Sequence, residues 1–127
     1  MGQKFLIDTN TIIHYLKDEI SAAGKLQLNS ILIIEINISV ITKIELLGWQ
    51  PPTQTEEQGL KLVVDNSNIF NLTDEIVDKT VKIRKLYKLK TADAIIAATA
   101  LVHNLTLVSR NDKDFKRIKK LKYLNPF

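Results

Sequence analysis

The stretch FLIDTN, residues 5–10, decides how this chain is organised, because three apolar residues run directly into an acid, a hydroxyl and an amide. The apolar residues are typical of a buried strand, and the pattern that follows from Thr11 to Leu16 is helical. Ligands of open α/β sheets bind outside the carboxyl ends of the strands, which predicts that Asp8 lies at the functional edge of the sheet. Capping of the next helix by Asp8 or Thr9 is the alternative.

The composition predicts one globular domain over residues 1–127, with 45% hydrophobic and 25% charged residues. The absence of cysteine excludes disulfides, thiolate metal sites and cysteine nucleophiles. The apolar runs are too short to span a bilayer and the N-terminus lacks a signal pattern, so we expect a cytoplasmic protein with no membrane partner. A net charge of +4 has the sign expected for a polyanionic partner.

Strand and helix patterns alternate along the chain, which predicts an α/β fold. We expect strands at Phe5–Ile7, Ile31–Val40, Ile69–Leu72, Leu105–Ser109 and Leu121–Leu124. We expect helices at Thr11–Leu16, Ser21–Asn29, Ser39–Trp49, Thr55–Val64, Ile76–Tyr87 and Asp93–His103, and a polar loop or helical turn at Arg110–Lys116. The predicted architecture is a three-layer sandwich whose central sheet is mostly parallel and is flanked by helices on both faces.

Acidic residues recur beside segments that are expected to be buried. Asp8 ends a strand, Glu45 lies in an otherwise apolar helix, and Asp93 begins the most apolar helix, while Asp112 and Asp114 follow the fourth predicted strand. A buried carboxylate is costly unless it is protonated, paired or bound to a cation. Since a hard cation such as Mg²⁺ or Mn²⁺ would offset the cost of several carboxylates together, clustered acids predict a metal site.

These acids also have simpler alternative roles. A lysine or arginine partner could compensate any one of them. Glu45 could be exposed at a helix edge, and Asp93 could contact the positive end of its helix dipole, with Thr91 as the cap. His14 and His103 lack a partner at a metal-ligand or triad spacing, which predicts that both lie at the core edge or on the surface.

Four blocks of sequence stand in order along the chain: FLIDTN (5–10), ISVITKIELL (38–47), TADAIIAATA (91–100) and LVSRNDKDF (107–115). Together with NPF at 125–127, they resemble the PIN-domain ribonucleases, in particular the VapC-type toxins of prokaryotic toxin–antitoxin pairs. The resemblance implies a PIN fold and a Mg²⁺- or Mn²⁺-dependent endoribonuclease that cleaves tRNA, rRNA or mRNA to inhibit translation. It also implies a homodimer, a VapB-like antitoxin that occupies the active-site groove, and products with a 5′-phosphate and a 3′-hydroxyl.

The resemblance extends to individual acids. Asp8, Glu45 and Asp93 match the three acids that recur in the family, which implies that they are catalytic and bind the metal. Asp114 matches a further acidic position of the last block, and we take it as the fourth such residue. Some members of the family carry an acid where this chain has Asn111, whose amide could offer an oxygen but no charge. A metal held by these acids would activate a water for in-line attack on phosphorus.

Neighbouring polar residues have the chemistry to hold the acids or the water in place, and we assign this supporting role to Thr9, Asn10, Ser109 and Asn111. Asp112 falls where the family varies. A receiver domain needs paired acids after its first strand, and a haloacid-dehalogenase-type phosphohydrolase needs an acid where Asn10 stands, so neither class fits. The remaining alternative is a catalytically inactive PIN-type protein that only binds RNA or a partner, because an amide replaces one acid.

Basic residues form two runs beside the acidic blocks, at 79–90 and 110–122. A solvated surface is the commoner role of such runs. Their position beside the acids favours contacts with RNA phosphates, which would place the RNA without reading its sequence. Arg84 and Arg110 are the first candidates, because a guanidinium can contact a phosphate at two points. Lys113 is the third candidate.

Overall fold

The computed structural model describes residues 2–127, and within them the chain forms five strands and seven helices. No helix in this part of the chain is long and apolar enough to cross a bilayer. The elements in chain order are β1 Phe5–Ile7, α1 Thr9–Leu16, α2 Ala22–Leu32, β2 Ile36–Ser39, α3 Val40–Gly48, α4 Gln54–Asp65, β3 Ser67–Phe70, α5 Asp74–Tyr87, α6 Thr91–Val102, β4 Thr106–Val108, α7 Asp112–Phe115 and β5 Tyr123–Leu124.

The strands pair in parallel, which confirms the predicted α/β architecture, but they form two groups. One group has the order β1-β4-β5 and the other pairs β2 with β3. β1 and β2 pack side by side, and the Asn37 side chain spans them by donating from Nδ2 to the carbonyl oxygen of Phe5 at 2.8 Å. Asn68 donates in turn to Oδ1 of Asn37 at 3.0 Å. A buried carbonyl needs a partner, so the Asn37 amide joins the two groups.

The core has two halves, one on each face of the strands. Leu6 and Leu107 belong to the half that is covered by α5 and α6, whereas Ile7 and Val108 belong to the half that is covered by α1 to α4. Successive strand residues point to opposite faces, so β1 and β4 each supply both halves. Every residue from Ala94 to Ala100 is buried, which confirms that α6 is an internal helix.

The isoleucine-rich stretch 31–40 was predicted as one strand, and its first half is not a strand. α2 continues through this stretch to Leu32, where Ile31 is buried on the helix face that meets the core. Ile33 and Ile34 follow the helix and are 85% and 81% exposed, so neither is in a buried strand. Only the last part of the stretch, Ile36–Ser39, pairs as a strand with β3, and three of its four residues are buried.

Other predicted boundaries also differ from the structure by one or two residues, including those of β3 and α6. β3 ends at Phe70, two residues before the predicted Leu72, and begins correspondingly earlier. α6 begins at Thr91 itself, so the predicted cap is instead the first helical residue. The cap position holds Lys90, whose side chain makes no capping hydrogen bond. The first turn of α6 therefore lacks a side-chain cap, and the acid in that turn is Asp93.

The C-terminal segment, residues 125–127, crosses α2 at Gly24. A Cβ atom built at Gly24 would overlap the carbonyl oxygen of Pro126 and crowd Ile20. The sequence presents Gly24 as a weak point of the helix, yet the glycine is what allows the backbone of the segment to approach so closely. This packing places Phe127 beside the end of β1 and β4, where the acidic residues converge.

Candidate active site

β1 delivers Asp8 to the functional edge of the strands. Oδ1 of Asp8 caps α1 by accepting a hydrogen bond from the backbone N–H of Thr11 at 2.9 Å. The Asp8 side chain is only 7% exposed. Burial raises the pKa of Asp8, and hydrogen bonds from Ser109 and Thr11 oppose that rise. The capping role of Asp8 is therefore confirmed, and it leaves the second carboxylate oxygen with capacity for a cation.

Asp93 is half-buried in the first turn of α6 and lies within electrostatic range of the other candidate acids. Burial raises the pKa of Asp93, and the negative charges of Asp114, Asp8 and Glu45 raise it further. Lys90 opposes the shift without cancelling it. The fold thus brings together four carboxylates from the end of β1, from α3, from α6 and from α7.

Glu45 is exposed at the edge of α3, as the simpler alternative predicted, but its side chain is tethered. The Thr9 hydroxyl donates to Oε1 of Glu45 at 2.6 Å, and the Thr42 hydroxyl oxygen lies 3.1 Å from that of Thr9. Thr9 and Thr42 are both buried. A buried threonine pair therefore holds an exposed carboxylate at the mouth of the site.

Asp114 is held by Asn111, which caps the short helix α7. The backbone N–H of Asp114 donates to Oδ1 of Asn111 at 3.2 Å, and Nδ2 of Asn111 donates to Oδ2 of Asp114 at 2.9 Å. The backbone N–H of Asn111 donates to the Ser109 hydroxyl oxygen at 3.0 Å. Both amide atoms of Asn111 are thus engaged with Asp114. Arg117 also approaches Asp114, with Nη2 3.8 Å from Oδ1.

Asp112 instead forms hydrogen bonds with Tyr123 and with Asn125 of the C-terminal segment. Its Oδ1 accepts hydrogen bonds from the Tyr123 hydroxyl at 2.6 Å and from Nδ2 of Asn125 at 3.0 Å. The bond from Tyr123 is the main reason that the pKa of Asp112 is lowered. The sequence left open whether Asp112 takes part in the site, since nothing local indicates its contacts with residues more than ten positions later.

The donor set suits a hard divalent cation in chemistry and charge. All four acids offer carboxylate oxygens, the ligands that Mg²⁺ and Mn²⁺ prefer. Within residues 2–127, Asp8, Glu45 and Asp93 form no ion pair with lysine or arginine, so their charge is left for a cation. As the side chains stand in this range, no three acidic or histidine residues are close enough to hold one ion.

A cavity of about 260 Å³ opens beside Asp8. His14 lies in its wall, with Nδ1 2.9 Å from Oε1 of Glu19. The sequence predicted His14 at the core edge or surface and did not predict that it lines this cavity. The available signal was its spacing, because His14 follows Asn10 by four residues and so shares its helix face. The cavity is lined by Asp8, Asn10, His14, Ser109, Arg110 and Asn111.

The three basic candidates have different surroundings. Nε of Arg84 donates to the carbonyl oxygen of Leu89 at 3.3 Å, which ties Arg84 to the turn before α6. The guanidinium carbon of Arg110 lies 5.3 Å from the centre of the Phe127 ring, at the cavity beside Asp8. Lys113 is exposed on α7. Of the three, Arg110 alone lines the cavity that Asp8 enters.

Comparison with known proteins agrees with this geometry. Residues 5–121 match the PIN domain family. Ribonuclease VapC1 from Methanocaldococcus jannaschii is 30% identical over 125 residues, which cover 91% of this chain and 82% of that protein. A toxin–antitoxin complex from Klebsiella pneumoniae contains a chain that is 33% identical, with a TM-score of 0.75 and 98% of both chains covered. The DNA-bound VapBC structure from Salmonella typhimurium is 23% identical, with a TM-score of 0.79 and 99% and 100% covered. The chain therefore belongs to the PIN domain family.

Proposed function

We propose that this chain is a divalent-metal-dependent endoribonuclease that acts as the toxin of a toxin–antitoxin pair by hydrolysing RNA phosphodiester bonds. The observation that carries the proposal is the convergence of four carboxylates from separate elements, three of which raise the pKa of the fourth, Asp93. Perturbed carboxyl groups clustered in a cleft are typical of catalytic sites. The likeness to a protein named ribonuclease VapC1 supports the same reaction class.

Asp8, which is buried, and Asp93, which is half-buried, would hold the Mg²⁺ or Mn²⁺ ion, with Glu45 and Asp114 beside it. A bound divalent ion supplies Lewis acidity, which lowers the pKa of water and stabilises charge on phosphoryl oxygens. Burial keeps the charge of Asp8 in a medium where attraction to a cation is stronger than in water. Attraction to the ion would therefore offset the free energy that desolvation of the acids costs.

The neighbouring residues orient the acids. Thr9 occupies Oε1 of Glu45, so Oε2 remains to accept a proton from the attacking water. Asn111 occupies Oδ2 of Asp114 and fixes that side chain against α7. Because these groups are held before RNA arrives, little reorganisation is required during the reaction.

The proposed partners rest on the basic residues of the chain and on the VapBC structures that share its fold. Arg110, Lys113 and Arg84 would contact RNA phosphates around the acids. A VapB-like antitoxin would cover the active-site groove, since VapBC complexes are among the structures that share this fold. We further propose a homodimer that acts in the cytoplasm, and a target among tRNA, rRNA and mRNA.

The test is cleavage of total cellular RNA by purified, antitoxin-free protein in Mg²⁺, in Mn²⁺ and in EDTA. Discrete fragments with 5′-phosphate ends are expected with either metal and absent in EDTA. Asp93→Asn is expected to abolish them, whereas Asp65→Asn, the same change at an exposed acid of α4, is expected to leave cleavage unchanged. RNA binding without cleavage in either metal would refute the nuclease and favour the catalytically inactive, binding-only protein.

A further inference from the structure

Arg110 is held by an aromatic ring and not by an acid. Its guanidinium carbon lies 5.3 Å from the centre of the Phe127 ring, a distance at which a cation is attracted to the ring face. Within residues 2–127 and their side chains, Arg110 takes part in no ion pair, although Asp8 lines the same cavity. In the described residues no acid neutralises the guanidinium, so its donors are available for an anion.

The Phe127 ring is itself fixed from several sides. Its backbone N–H donates to Oδ1 of Asn125 at 2.9 Å, and Asn125 is bonded to Asp112. Buried Pro126 packs against Gly24 of α2. The His14 ring meets the Phe127 ring edge-on, with centres 5.6 Å apart and planes at 80°. These contacts hold the Phe127 ring in place, and we call this ring the Phe127 platform.

His14 lines the cavity beside Asp8 and also contacts the Phe127 platform. Nδ1 of His14 lies 2.9 Å from Oε1 of Glu19, which sets the orientation of the ring. Asn10 is one helical turn earlier on the same cavity wall, and its amide is exposed. The cavity is consequently lined by the Asp8 carboxylate and also by the Arg110 guanidinium and the Asn10 amide.

We propose that Arg110 and Asn10 form a phosphate subsite that binds the RNA phosphate next to the scissile one, and that Phe127 and His14 are the residues that position Arg110. The inference rests on the proposed function, because it assumes that a divalent ion bound by the acids would hold the scissile phosphate. The subsite recognises the sugar–phosphate backbone, so it contributes affinity and register without sequence preference. It also gives Asp112 a role, since Asp112 anchors the segment that carries Phe127.

The test measures binding of a fluorescein-labelled single-stranded RNA 20-mer of mixed sequence in EDTA, by anisotropy over a series of NaCl concentrations. Arg110→Gln is expected to weaken binding about tenfold and to reduce the slope of log K against log [NaCl] by about 0.7, the loss of one phosphate contact on a single strand. Lys61→Gln, an exposed lysine of α4, is the charge control and is expected to change neither. A slope and affinity for Arg110→Gln equal to those of Lys61→Gln would overturn the subsite.

Phe127 is tested for action through Arg110. Phe127→Leu is expected to weaken binding about threefold, and Phe127→Tyr, which keeps the ring, to restore it. In the Arg110→Gln background, Phe127→Leu is expected to have no further effect, because the group that it positions is gone. A threefold loss that persists in that background would overturn the positioning role.

Gly24→Ala provides a second route to the same platform if Phe127→Leu does not fold. The added methyl group displaces Pro126, so it is expected to weaken RNA binding in the wild-type background and not in Arg110→Gln. Unchanged binding by folded Gly24→Ala, with its displacement of the segment verified by NMR, would contradict the inference. Cleavage in Mg²⁺ is measured separately: binding effects without cleavage would refute the nuclease alone, and cleavage without these effects would refute the subsite alone.

Discussion

Individual residues of the site combine a structural and a chemical role. Asp8 caps α1 with one oxygen and offers the other to the site, while its burial raises its pKa. Capping of α1 and binding of a metal, the two roles that the sequence predicted for Asp8, are therefore compatible with each other. Asp114 and Asp112 are two residues apart, yet one faces Asn111 and the other faces Tyr123. The direction of the Asp112 side chain depends on contacts with residues more than ten positions later, which is why the sequence alone left its role open.

Asp93 destabilises the metal-free protein in its charged form. Its folded-state pKa is raised above 3.8, so its favourable contribution is present below the unfolded-state pKa and is lost as pH rises through the folded-state value. Asp93→Asn removes the charge, and we expect it to raise the melting temperature in EDTA at pH 7 by a few degrees. The gain should shrink as pH falls towards 4. A lower melting temperature at pH 7 than that of Asp65→Asn would contradict this account.

Thr9 is expected to affect catalysis through Glu45. Thr9→Val keeps the branched shape but removes the hydroxyl that donates to Glu45, and one such hydrogen bond corresponds to about 1 kcal/mol. We expect kcat to fall by about three- to tenfold with KM little changed, in a steady-state assay with a defined RNA. Thr9→Ser retains the donor and should preserve kcat. Equal losses in both variants would show that packing, and not the hydrogen bond, is responsible.

Elements with a clear period were predictable, and those set by tertiary packing were not. The step from β1 to α1 and the internal helix α6 follow directly from apolar runs and spacing. Ile33 and Ile34 misled the prediction, because a run of isoleucines favours a strand wherever burial is assumed, and here both are exposed. His14 lines the candidate site because its face of α1 lies near the end of β4. No pattern in the sequence predicts that the C-terminal segment packs there.

α2 depends on a glycine for its contact with the C-terminal segment. Gly24→Ala should gain up to about 1 kcal/mol in helix propensity, but overlap with Pro126 opposes it, and overpacking typically costs about 1–3 kcal/mol. We expect a net loss of stability in urea denaturation. Gly48→Ala is the matched control, since a Cβ there meets nothing within 4 Å, and it should be neutral or stabilising. A stabilised Gly24→Ala would contradict the close approach.

The whole molecule combines a net positive charge with a group of acids near Asp93. The net charge is +4, yet four acids converge where β1 and β4 end, the edge at which α/β sheets bind ligands. This general rule predicts the location of the candidate site from the order of strands and acids. The division of the strands into two groups was not predictable, since it depends on the Asn37 side chain meeting the backbone of Phe5.

The most direct measurement of the central claim is calorimetric titration of Mn²⁺ into the metal-free protein, compared with Asp8→Asn, Asp93→Asn and the control Asp65→Asn. If the four acids form a metal centre, the wild type and the control should bind Mn²⁺ with equal affinity, and each site variant should bind at least about tenfold more weakly, a loss of about 1.4 kcal/mol. Equal Mn²⁺ affinity in all four proteins, or no binding by the wild type, would contradict the account.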